Sequence, residues 1–196
     1  MGAVLGLTRA LGQVNAAVLT LGRGLGALCM ALMVVIILVQ VFWRYVLNNA
    51  LPWPEEAARF LMIWATGLMA ATAFRRGGFV SIELFVRLLP VRAASVLSLI
   101  LLGLCLVVLW VGIGISWSEV TGIGGRFEMD ALRYPATLDL SVWTKVPRAA
   151  QMAGMLVGLI LLIAVCVELM LRNLVSLMGG HDRLPEIADA VSLGAE

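Results

Sequence analysis

Between Arg23 and Arg44 the chain carries no charged side chain, a run of about twenty residues that as a helix covers the roughly 30 Å of a bilayer's hydrocarbon interior. Three more long apolar runs follow it. Of the 196 residues, 62% are apolar and only 13% charged, about half the charged fraction of a soluble domain. Because the excess is gathered into runs, it points to a bilayer rather than to an oversized core. The fold class is therefore an all-α integral membrane protein. Four transmembrane helices are expected, over residues 25–46, 57–74, 93–116 and 149–171, within a single membrane domain of residues 1–178.

The segments between the runs carry their own signals. Leu7, Leu11, Val14, Val18 and Leu21 recur at helical spacing among Arg9, Gln13 and Asn15, which reads as an amphipathic stretch leading into the first span. That first run is too long for a signal-peptide core and lacks a small-x-small cleavage site after it, so the first helix is expected to stay in the mature protein. After Asn48-Asn49, Pro52-Trp53-Pro54 opens a second helix. Its proline suits a first turn, and Glu55 and Glu56 place negative charge at the positive end of the helix dipole. Arg75-Arg76 stops this span. Residues 79–89 are too short and too polar to cross, and with Phe79, Ile82, Phe85 and Leu89 sharing a face they read as an interfacial amphipathic helix. Residues 118–147 form one long polar loop, and 179–196 a polar tail that reads as partly disordered.

Lys/Arg bias sets the expected orientation. The link between spans two and three holds Arg75, Arg76, Arg87 and Arg92 against Glu83 alone, so it and both termini are assigned to the cytoplasm. The long loop is then periplasmic, although Arg126, Arg133, Lys145 and Arg148 lie there. Trp43, Tyr45, Trp53, Trp117 and Trp143 gather at the same outer interface.

The chemistry of the chain is defined by what the spans lack. The single histidine, His181, sits in the tail, so no axial haem ligands lie inside the bundle. No span has a charge near its centre, where one would mark an ion path, and none has a proline-broken centre. Glu168 near the end of span four is one turn from Arg172 and is expected to pair with it. Cys29, Cys105 and Cys166 are odd in number and widely spaced, which argues for packing residues rather than a disulfide or zinc site. The net charge of +2 gives no footing for nucleic acid. No catalytic, cofactor-binding or metal-binding residue is assigned, and the chain reads as a non-enzyme.

Two constellations remain. Arg44 stands across a short hairpin from Glu55 and Glu56, where a charge-assisted bridge would clamp the first two helices; interfacial anchoring with helix capping explains the same residues equally well. Gly67-x3-Ala71 and Gly154-x3-Gly158, with Gly22-x3-Gly26, fit small-x3-small packing, either within the chain or against a partner.

Phe42-Trp43-Arg44-Tyr45-Val46, then Leu51-Pro52-Trp53-Pro54-Glu55-Glu56, then Arg75-Arg76-Gly77 resembles the small permease subunit, or DctQ family, of tripartite ATP-independent periplasmic (TRAP) transporters. The motif resemblance runs from about Leu25 to Pro90, and the length and four-span layout match throughout. Phe79 and Glu83 stand where the family often has a His and an Asp. The resemblance implies a scaffold subunit of a sodium-coupled importer of organic acids in the bacterial inner membrane. Its implied partners are a large DctM-like permease subunit, which holds the substrate and sodium sites, and a periplasmic solute-binding protein. Arg44, Tyr45, Pro52, Trp53, Glu55, Glu56, Arg75 and Arg76 carry the family motif. Two other readings compete: a membrane anchor for a redox enzyme, and a small signalling protein or enzyme acting through Glu119, Glu128, Asp130 and Asp139 of the long loop.

Overall fold

The computed structural model describes residues 2–76, 91–135 and 143–177. The interfacial helix expected at 79–89 and the tail at 179–196 lie outside the described residues. Within them, the four apolar runs form helices α1 (Gly2–Tyr45), α2 (Trp53–Arg75), α3 (Val91–Thr121) and α4 (Arg148–Leu177). All four are long and apolar enough to cross a membrane.

Helix α1 absorbs both the amphipathic stretch and the first span, with no break between them. Each of Gly22, Gly24 and Gly26 costs an isolated helix up to about 1 kcal/mol relative to alanine, yet the helix runs through. Two of them repay this in packing. A Cβ on Gly22 would lie 3.3 Å from the Leu68 carbonyl, and one on Gly26 would overlap the Met69 side chain at 2.5 Å. Thr8, Gly12, Asn15, Leu19, Gly22 and Gly26, alternately four and three residues apart, are the buried positions of the helix's first half. That spacing is a coiled-coil seam. The apolar set that marks this stretch as amphipathic, including Leu7, Val14 and Leu21, instead faces outward. Small and polar residues turn inward because lipid solvates leucine as well as a core does, whereas close backbone approach needs small side chains.

The turn into α2 places Asn48 at φ 50°, a conformation asparagine tolerates. Pro54 sits in the first turn of α2 with Glu55 and Glu56. At the other end, the Arg76 N–H donates to the Thr72 carbonyl at 3.2 Å and closes the helix.

Helix α4 is the centre of the bundle. It packs against α2 on one side and α3 on another, and α1 packs along α2. One buried group, Leu19, Ala71 and Val165, joins α1, α2 and α4. A second, Leu102, Leu109 and Cys166, joins α3 and α4. Between α2 and α4 the backbones nearly touch: a Cβ on Gly158 would lie 2.5 Å from the Gly67 Cα, and one on Gly154 would press into the Trp64 ring at 3.0 Å.

The long loop has structure of its own. A 3-10 turn (Ile123–Arg126) leads into strand β1 (Glu128–Pro135), which pairs antiparallel with β2 (Trp143–Pro147). The pairing shifts register between Glu128 and Arg133. The alternation in β1, with Met129 and Ala131 half-buried between exposed Glu128 and Asp130, is too short to announce a strand from the sequence.

Candidate functional site

Polar side chains meet at the two ends of the bundle. At the end where α2 stops, Glu168 of α4 is fully buried. Its carboxylate accepts from Arg75 of α2 through Nη2 at 2.8 Å and Nε at 3.1 Å, a two-point ion pair. Arg172 Nε, one turn along α4, donates at 3.1 Å. Asn15 of α1 donates to the same carboxylate at 2.8 Å and to the Ala164 carbonyl at 3.2 Å. Arg75 also reaches the Gly12 carbonyl at 3.0 Å. A Cβ on Gly12 would stand 3.1 Å from Glu168 Oε1 and 3.3 Å from Arg172 Nη2, so glycine leaves the room the cluster occupies.

Four N–H donors from three side chains thus surround one carboxylate and tie three helices together. A buried carboxylate is costly unless it is paired and its lone pairs are satisfied, and here both conditions are met. Its sequence spacing revealed the Glu168–Arg172 pair. Arg75 and Asn15 went unrecognised as partners because their contacts span 93 and 153 positions. The available signal was Glu168 itself, an acid inside an apolar run, which demands a partner from another helix.

At the opposite end the structure does not bring Arg44 to Glu55 or Glu56. Glu55 pairs with Arg59, one turn along α2. Glu56 Oε2 accepts from the main-chain N–H groups of Ala131 and Leu132 at 2.8 and 2.9 Å. These amides belong to the irregular stretch of β1, where the ladder is out of register, and the carboxylate supplies the acceptor the ladder does not. Arg44 is exposed and holds its guanidinium 6.0 Å from the Tyr45 ring centre. Both acids therefore have nearer partners than Arg44, and Glu56 joins α2 to the hairpin rather than α1 to α2. Pro52 and Trp53 form the start of α2. Arg75 and Arg76 stand together at its end, Arg75 turned into the bundle. Gly67, Ala71, Gly154 and Gly158 are all buried in the chain's own helix packing. Trp64 adds a hydrogen bond from its indole N–H to the Ala150 carbonyl at 3.1 Å, again joining α2 to α4.

Among the described residues no group of three or more His, Cys, Asp and Glu side chains could hold a metal ion. The carboxylates at the two ends hold helices and a hairpin in place. Four apolar spanning helices joined in this way define a multi-span membrane protein.

A family model described as "Tripartite ATP-independent periplasmic transporters, DctQ component" matches residues 33–176, and the chain belongs to that family. It is accordingly a transporter component and not an enzyme, and a multi-pass protein of the bacterial inner membrane. A TRAP transporter small permease protein of Haemophilus influenzae is 31% identical over 102 residues, half of this chain and 63% of the relative's length. The C4-dicarboxylate TRAP transporter small permease protein DctQ of Vibrio cholerae is 22% identical over 171 residues, covering 80% of this chain and 74% of that protein. No solved structure matches.

Proposed function

We propose that this chain is the small scaffold subunit of a sodium-coupled TRAP-type transporter that imports an organic acid. It works with a large DctM-like permease subunit and a periplasmic solute-binding protein. The observation that supports this is the saturated Glu168. A carboxylate within a spanning helix is the natural ligand for a coupling ion, but this one is enclosed by Arg75, Arg172 and Asn15 of its own chain. It strengthens the bundle and has no lone pair left for a cation, which fits a subunit whose partner holds the ion and substrate sites. The Vibrio relative, named for C4-dicarboxylates, favours a carboxylate as cargo. In this reading the Arg75 end and both termini face the cytoplasm, and the β1–β2 hairpin faces the periplasm.

The test is sodium-driven uptake of labelled C4-dicarboxylate and other carboxylates into proteoliposomes. Uptake is expected only when large subunit, small subunit and binding protein are all present. Uptake by this chain alone would refute the scaffold role.

A further inference from the structure

The geometry points to Cys105, Cys166 and Met170 as a binding site for a soft divalent metal ion, seated between α3 and α4. The site is independent of the scaffold reading above.

Cys166 of α4 has no exposed surface, and its Sγ donates to the Leu102 carbonyl of α3 at 3.4 Å. Cys105, just under one turn beyond Leu102, shares a hydrogen bond with the Cys166 thiol. Met170 lies one turn along α4 from Cys166 and packs against the same buried group of Leu102, Leu109 and Cys166. Two thiols in contact, with a thioether one turn away, therefore share one stretch of the α3–α4 interface. Leu106, Leu159, Leu162 and Ile163 around them are apolar. Glu168, two residues after Cys166, is already saturated by Asn15, Arg75 and Arg172. Among the described residues, sulfur is thus the side-chain donor this interface offers.

Thiolate and thioether sulfur select soft cations, whereas structural zinc takes four ligands and magnesium and calcium take oxygen. The surroundings then decide the charge. Each thiol gives up its proton when it binds metal. Two thiolates with a monovalent ion such as Cu(I) would leave net negative charge within apolar spanning helices, where charge is costly. Two thiolates with one divalent ion are neutral. Mercuric chloride delivers such an ion in uncharged form: two S–H and two Hg–Cl bonds break, two S–Hg bonds form, two HCl leave, and no oxidation state changes. The Met170 thioether adds a weaker contact without altering the charge. Cys105 is only half-buried, so the pair is not sealed from outside the chain. Cys29 stands apart on α1, which packs along α2, and serves as an internal control.

The full-length chain, purified in mild detergent and freed of reductant, is titrated with mercuric chloride. One ion per chain is expected, with two of the three thiols lost to a thiol reagent added after denaturation. A sulfur-to-mercury charge-transfer absorption and a raised melting temperature should accompany it, since the bridge joins α3 to α4 in the folded state. Cys29→Ser should keep this behaviour. Cys105→Ser and Cys166→Ser should each hold mercury about 100-fold less tightly against a competing monothiol, because the advantage of a second tethered thiolate is gone. Met170→Leu should weaken binding less than either. Methylmercury chloride, which takes one thiolate only, should not raise the melting temperature. Mercury held by Cys105→Ser as tightly as by wild type would overturn the site, and this half-buried position decides the matter even where Cys166→Ser fails to fold. Three ions per chain, one on each thiol, would overturn it as well. Equal stabilisation by methylmercury would refute the bridge, and equal affinity for zinc chloride would refute the soft-ion assignment.

Discussion

Arg75 and Glu168, 93 positions apart in the chain, meet through two hydrogen bonds at 2.8 and 3.1 Å in a part of the bundle that excludes solvent from the carboxylate. Glu168→Ala strips the largely buried Arg75 of the carboxylate it pairs with and is expected to destabilise the subunit by about 3–5 kcal/mol. Thermal unfolding in detergent checks this. Arg75→Gln with Glu168→Gln should cost less than the sum of the two single changes, because the double change leaves neither member of this pair facing a neutralised partner. Additive costs would show that the pair is not coupled.

Gly158 lies where α2 and α4 approach most closely. Gly158→Leu is expected to force them apart and cost at least about 1–3 kcal/mol, despite leucine's better helix propensity. Gly24→Leu, on the open face of α1, should be neutral or slightly stabilising in the isolated subunit. The difference in melting temperature between these two variants is the measurement.

Glu56→Ala removes the acceptor for the Ala131 and Leu132 amides. Their hydrogen exchange should quicken by about five-fold or more, corresponding to the loss of hydrogen bonds worth about 1 kcal/mol, with helix amides unaffected. Glu55→Ala, which loses only an exposed pair with Arg59, should leave the hairpin's exchange unchanged. Accelerated exchange in Glu55→Ala would reassign the hairpin's tether.

Trp64→Phe keeps the ring over Gly154 but deletes the donor to the Ala150 carbonyl. Helix N-terminal turns leave that carbonyl its own helical acceptor role, so the expected cost is modest, about 0.5–1.5 kcal/mol by chemical or thermal unfolding. A loss above about 3 kcal/mol would mean the indole does more than bond and fill.

The helices were legible because hydrocarbon thickness and charge exclusion act on contiguous sequence, which is why the four apolar runs reappear as four helices. Their ends were less so. α3 and α4 continue beyond the apolar band, since backbone hydrogen bonding can extend a helix after hydropathy stops demanding it. The two polar junctions were only partly visible. Glu168–Arg172 lies one turn apart and could be read locally, while Arg75, Asn15 and the Ala131 and Leu132 amides reach their carboxylates through the tertiary fold. Motif proximity suggested Arg44 for Glu55 and Glu56, but nearness along a hairpin does not decide which of several donors a carboxylate takes. Arg59 is one helical turn from Glu55, and two unpaired amides sit beside Glu56. The small-x3-small pairs identified surfaces that tolerate close approach, and only the packed structure shows that Gly67 and Gly158 face each other.

Of the four helices, the central one is synthesised after the other three. Until α4 leaves the ribosome and inserts, Asn15 and Arg75 have no carboxylate to bind, and the groups that will flank it on α2 and α3 have no common neighbour. The four-helix bundle therefore closes only when α4 arrives, like a keystone set after both sides of an arch are standing.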